Sequence, residues 1–196
     1  MSEIVVHVAE HAADLVLLDP AVRVAAGIAR DKVIELVGPE RLKNLQDIGR
    51  RATEKLKGKK FEPPPLSVSV PLLEAARDES RVELQDLWAS LLAAACDPAR
   101  SNRYRRQFVD VVKQLEPLDA LVLKELANGF NYSGRQADQI AGVLRRGSAE
   151  VTLSLMHLAR LGCAYPENGP IEVNDLHLPA LRVSTLAKEL LAAVAD

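Results

Sequence analysis

The chain has 196 residues, 48% of them apolar and only 4% aromatic, and a formal net charge of −2. That length can bury a substantial core as one domain or two small ones, and a composition rich in Ala and Leu favours closely approaching helices over a sheet-rich fold. The charge balance excludes a global pull toward nucleic acid or anionic lipid, and Cys96 and Cys163, each in an apolar setting, read as buried thiols of a reducing compartment and not as a disulfide framework.

Ile4, Val5, Val8, Ala12, Leu15 and Val16 fall at helical spacing and predict a first amphipathic helix. Glu3, His7, Glu10, His11 and Asp14 interrupt it too early for a signal peptide. The apolar run from Ala12 to Ala29 is broken by Asp14, Asp19-Pro20 and Arg23, short of the ~20 residues a membrane span needs. Asp19 with Pro20 predicts the start of a second helix, ended by Gly38-Pro39. Pro39 opens a third through Lys57, with Leu42, Leu45, Ile48, Ala52 and Leu56 on its apolar face. Its other face carries Arg41, Lys43, Arg50, Arg51, Lys55 and Lys57, against only Asp47 and Glu54. That basic face is the candidate contact for nucleic acid or an acidic partner protein, although it lacks the interleaved aromatics that stack single-stranded bases.

Three consecutive prolines, Pro63 to Pro65, then force extended backbone, and Pro71 predicts the first turn of a new helix. Ser80 and Glu83 have capping-box spacing. Val82, Leu84, Leu87, Trp88, Leu91, Leu92 and Ala95 make the next helix apolar around most of its circumference, which predicts a central position with Trp88 as its largest packing residue. Asp97-Pro98 stops it. Ser101 or Asn102 is expected to cap a helix bearing Tyr104, Phe108, Val111, Val112 and Leu115. Arg100, Arg103, Arg105 and Arg106 cluster at its start, against the helix dipole, with Asp78 and Glu79 as the expected neutralising neighbours.

The runs PLLEAA, LQDLWASLLAAACDP and FVDVVKQLEPLDALVLKEL are similar to the bacterial abortive infection alpha family, and the similarity extends over most of the chain. Its signature consists mainly of helical packing residues. Membership implies a cytoplasmic bacterial protein linked to phage defence.

Beyond Pro117, helices are predicted over Leu118–Asn128, from a Ser133/Gln136 capping box to Arg146, and from Gly147-Ser148 to Leu161, closed by Gly162. Short extended pieces follow at Cys163–Tyr165, Ile171–Val173 and Leu181–Val183, with Asn168-Gly169 as a hairpin turn. Ser184 or Thr185 caps a closing helix whose VSTLAKELLAAV resembles the family's tail, with Ala187 where a glycine is expected. The fold class expected is mainly α: a multi-helix body over residues 1–115 and a module over 117–196 carrying a small β-hairpin, whose SLMHLARLGCAYPENGPIEV resembles a winged helix-turn-helix.

Were that module to bind DNA, Glu150, Ser154 and His157 would face the groove and Arg135, Arg145 and Arg146 the phosphates, a stripe poor in cations. His7, Glu10 and His11 have the H-x-x-E-H spacing of some zinc enzymes, but no third ligand is placed to complete a site. Gly-rich phosphate loops, C-x-x-C pairs and nucleophile elbows are missing from the sequence. The expectation is a non-enzymatic protein without metal or cofactor, acting by contact with a protein or nucleic acid, able to self-associate, with a winged-helix transcriptional regulator as the alternative.

Overall fold

In the computed structural model, residues 38–57, 59–60, 62, 64–128, 136–167 and 180–195 are described. The two N-terminal helices expected before Gly38 lie outside them, and so does the H-x-x-E-H motif. Eight α-helices and one two-stranded antiparallel sheet occur among the described residues: α1 (Pro39–Lys55), α2 (Leu66–Ala76), α3 (Val82–Cys96), a 3-10 turn (Ser101–Arg103), α4 (Arg106–Val112), α5 (Pro117–Ala127), α6 (Gln136–Leu144), α7 (Ser148–Arg160), β1 (Ala164–Pro166), β2 (Leu181–Val183) and α8 (Thr185–Val194). The mainly helical class read from the sequence is the one observed. The chain divides into two compact units, residues 1–113 with 193–196, and residues 114–192. Among the described residues no helix is long and apolar enough to cross a membrane.

In the first unit α3 is the central element. It touches α1, α2, the 3-10 turn and α4. Leu84, Trp88, Leu91 and Leu92 are fully buried, and so are the small residues Ala89, Ala93 and Ala94 between them. The alanines let neighbouring backbones approach, while Trp88, 1% exposed, fills the space between helices. Leu42, Leu45, Ile48 and Ala52 of α1 supply the facing stripe. Polar bonds fix the ends: Asn44 Nδ2 donates to the Arg77 carbonyl (3.0 Å) and Gln85 Nε2 to the Glu79 carbonyl (2.9 Å).

Several local expectations change here. α2 begins at Leu66, so Pro71 lies inside the helix and not in its first turn. Its missing N–H forgoes one internal bond, because Pro65 already occupies the N-cap position. Ser80 and Glu83 form no capping box. Arg81 is the N-cap of α3, and Glu79 instead receives the backbone and guanidinium of Arg81 at 2.9 Å. Ser101–Arg103 is a 3-10 turn, not a helix start, and α4 opens after Arg105.

In the second unit α5 packs on α6 and α7, and α7 also packs on β1. Val122, Leu123, Ile140, Val151, Leu155 and Leu158 form its buried centre. α7 ends in a Schellman arrangement: Gly162 at φ +72° bonds through its N–H to the Ala159 carbonyl (3.0 Å), and Cys163 N–H bonds to the Leu158 carbonyl (2.8 Å). β1 pairs with β2 in the register Ala164↔Val183, Tyr165↔Arg182, Pro166↔Leu181. The expected partner Ile171–Val173 and the Asn168-Gly169 turn lie outside the described residues. On β2, Gln136 takes the place of a further strand: its Nε2 donates to the Leu181 carbonyl (3.0 Å) and its Oε1 accepts from Leu181 N–H (2.9 Å). Ser133, its expected capping partner, lies outside the described residues, and the buried amide is used in this bridge. Ser184 Oγ caps α8 by accepting from Ala187 N–H (3.2 Å).

Gln136→Ala would leave both backbone groups of Leu181 without these bonds. It is expected to cost about 2 kcal/mol, read as a lower denaturation midpoint, with the first unit's intrinsic Trp88 fluorescence unchanged in the native baseline. Burial pushes the Cys96 thiol up to about 12 and the Cys163 thiol up to about 11, so neither supplies thiolate near neutral pH. Both are expected to resist alkylation at pH 8 in the native protein and to react fully in denaturant.

Candidate binding cleft

Three of the six cations on the basic face of α1 are held in ion pairs. Arg41 Nε lies 2.6 Å from Asp78 Oδ1, Arg50 pairs with Glu54 at 3.1 Å and with Asp47 at 3.6 Å, and Lys55 Nζ lies 3.3 Å from Asp86. Asp78 and Asp86 are far away in sequence, so linear inspection could not count them against this face. Arg51 is half-buried with its Nε shielded and without a hydrogen bond, which leaves Lys43 and Lys57 as the exposed cations of the six that are not in a described ion pair. Exposed pairs of this kind each contribute only ~0.2–1 kcal/mol to stability, but they cancel the field that would attract phosphate.

In the second unit Ser154 and His157 are not a groove-facing stripe. Ser154 is 4% exposed, and its Oγ donates to Asp119 Oδ1 at 2.6 Å; His157 Nδ1 lies 2.7 Å from Asp119 Oδ2. A carboxylate offers only acceptors, so Nδ1 carries the proton of that bond. Asp119 also accepts from Glu116 N–H (2.7 Å) in a reciprocal capping box at the start of α5. One buried carboxylate therefore starts α5 and ties it to α7. Serine, histidine and aspartate meet here, but the serine bonds to the carboxylate and not to the imidazole, which differs from the nucleophile–base relay of acyl transfer. Sequence reading missed Asp119, although Glu116-Pro117-x-Asp119 carries capping-box spacing with proline at the first helical position.

Arg145 and Arg146 are both exposed just past α6, with Arg145 in the left-handed region at φ 53°. Arg135 lies outside the described residues. Among the described residues no group of three His, Cys, Asp or Glu is arranged to hold a metal ion.

Among the described residues of the first unit, a cleft of about 820 Å³ lies between the end of α2, the turn leading into α3, and α4. Pro71, Ala75, Trp88 and Val109 supply its apolar lining. Above them stand charges of both signs. Two acids are already spent: Asp78 lies on Arg41, and Glu79 is held by Arg81 at 2.9 and 3.0 Å. Burial pushes the Glu79 carboxyl up, but the Arg81 bonds together outweigh it and hold the group below its ordinary value. The acids expected to neutralise the arginine cluster are thus engaged elsewhere. Arg100 instead bonds to Asp97 (2.9 Å) and to the Ala195 carbonyl (2.6 Å), while Arg105 bonds to the carbonyls of Asn102 and Tyr104. Arg106, Asp110 and Lys113, at spacings of four and three, line the cleft from the α4 side. Glu74 stands on the α2 side. No sequence signal marks this set, because its members come from three segments and only packing on α3 brings them together.

Replacing Asp119 by Ala is expected to cost about 3 kcal/mol, and Ser154→Ala about 1 kcal/mol. Urea denaturation of the two variants checks this, and the histidine bond accounts for part of the excess in the first.

No curated protein and no solved structure matches the chain, and the winged helix-turn-helix likeness of its C-terminal part is therefore not borne out. The model for abortive infection alpha matches residues 40–178, a span that takes in all of α1 but Pro39, α2 to α7, β1 and every residue lining the cleft. The chain belongs to the abortive infection alpha family.

Proposed function

We propose that this protein acts in bacterial phage defence, in the cytoplasm, as a non-enzymatic binding protein that engages a polypeptide partner through the first-unit cleft. The cleft's lining carries the proposal. A lining that sets Pro71 and Ala75 beside charges of both signs suits a peptide segment with mixed side chains, whose own charges can meet Arg106, Lys113 and Glu74. A polyanion is a poorer match. Phosphate affinity grows with the number of cations left to meet it, and Arg41, Arg50 and Lys55 of α1 are held in ion pairs.

The double variant Arg106→Glu/Lys113→Glu reverses two exposed cations without touching the core. In cells challenged with a phage that the wild-type protein restricts, it is expected to lose most of that restriction while retaining the wild-type circular dichroism and melting temperature. Full restriction by this variant would refute a role for the cleft. A shift assay with duplex DNA across a salt series adds the second arm: steep salt dependence, abolished by neutralising Lys43, Arg51 and Lys57, would favour nucleic acid over a polypeptide.

A further inference from the structure

Among the described residues, of the five large apolar side chains left most exposed, four belong to the second unit: Val143, Leu153, Met156 and Tyr165. Leu153, at 68%, and Met156, at 40%, lie three residues apart on α7, on the side away from the buried Val151, Leu155 and Leu158. Val143 is on α6 and Tyr165 on β1, the two elements packed against α7 on either side of it in sequence. α7 thus has two apolar stripes. One is spent on the core of its own unit, and the other faces outward.

The outward stripe is bracketed by opposite charges. Glu150 stands three residues before Leu153, and Arg160 four residues after Met156. Both are exposed, and neither is held in an ion pair by another described residue. Steps of three and four keep all four side chains on one helical face. The order acid, apolar, apolar, base has a useful symmetry. When two copies of the helix are laid antiparallel about a two-fold axis near residue 155, Glu150 of each copy comes opposite Arg160 of the other. Leu153 falls opposite Met156 of the second copy to within one residue's rise, about 1.5 Å. The antiparallel arrangement also opposes the two helix dipoles favourably. In the parallel arrangement each acid would meet an acid.

We infer that this face of α7 is a self-complementary surface whose partner is α7 of a second copy of the same chain, in an isologous two-fold dimer. The inference stands independently of the cleft, which lies in the other unit. A single helix pair with its flanking side chains buries less than the ~1,600 Å² of a standard interface, so the association expected is reversible and in the micromolar range.

Sedimentation equilibrium of the full chain over a wide concentration series tests it. The expected result is a concentration-dependent shift from 21.4 kDa toward twice that mass. Leu153→Asp, at an exposed site, is expected to raise the dimer Kd at least about tenfold. Glu150→Arg and Arg160→Glu are each expected to weaken the dimer about tenfold, because one reversal sets like charges together at both symmetry-related positions. The combined variant Glu150→Arg/Arg160→Glu restores opposite pairing and is expected to return within about threefold of the wild-type Kd. Three outcomes would overturn the inference: a wild-type chain monomeric throughout the series, a dimer indifferent to the single reversals, or a double reversal no tighter than either single one. The first of these includes an outward face covered by another segment of the same chain.

Discussion

A helix that has almost no solvent face must be surrounded, and α3 imposes that constraint on the whole first unit. From Leu84 to Cys96 nearly every side chain is buried. The favourable term is the removal of these apolar groups from water, on the order of 25 cal/mol per Å². It is realised only if other helices cover α3 on several sides at once. α1 does so with Leu42, Leu45, Ile48 and Ala52, and α2 and α4 do so elsewhere along its length. The cleft is the consequence of where that cover stops. At the junction of α2, the turn and α4, the floor remains apolar because it belongs to the core, and the rim is charged because it faces water.

The second unit solves a different problem. Its sheet has only two strands, so strand edges and helix ends would leave backbone groups unsatisfied near the core. Two polar side chains meet that need. Gln136 presents an amide to both backbone groups of Leu181, as a neighbouring strand would. Asp119 gathers Glu116 N–H, Ser154 and His157. Buried groups of this kind stabilise only when fully partnered, since in a low dielectric an unpaired one costs more than a water-exposed one. The same chemistry explains why Ser154 and His157 are unsuited to reading a ligand. Their donors face inward.

Charge illustrates how tertiary structure revises a linear reading. Along the sequence, α1 looks like a cationic strip, because its basic face is opposed on the helix itself only by Asp47 and Glu54, with Glu40 in the first turn. In space, Asp78 comes from the end of α2 and Asp86 from α3, each within salt-bridge distance of an α1 cation. The arginines around residues 100–106 show the converse. Their expected acids are occupied, and Arg100 pairs with Asp97 only three positions away. Among the described residues, the exposed cations of α4, Arg106 and Lys113, and the pair Glu150 and Arg160 on α7 are held in no such ion pair.

The sequence by itself determined the helical class, the central place of the Trp88 helix, the stop at Asp97-Pro98, the glycine-terminated end of α7 and the strand segment Leu181–Val183, and it placed the first strand at Cys163–Tyr165, one residue before the observed Ala164–Pro166. These follow from signals local to a few turns: apolar recurrence at three and four, proline's missing donor, and the tolerance of glycine for positive φ. Helix starts were less legible. Ser80, Ser101 and Pro71 each satisfy a local rule, but Glu79, Pro65 and the 3-10 turn offered alternatives that the packed structure preferred. The cleft, the neutralisation of α1 and the Asp119 and Gln136 bridges were decided only by tertiary structure. Each joins residues from separate elements, and the energy of such a contact depends on distance and burial, neither of which is encoded in the spacing of residues along the chain.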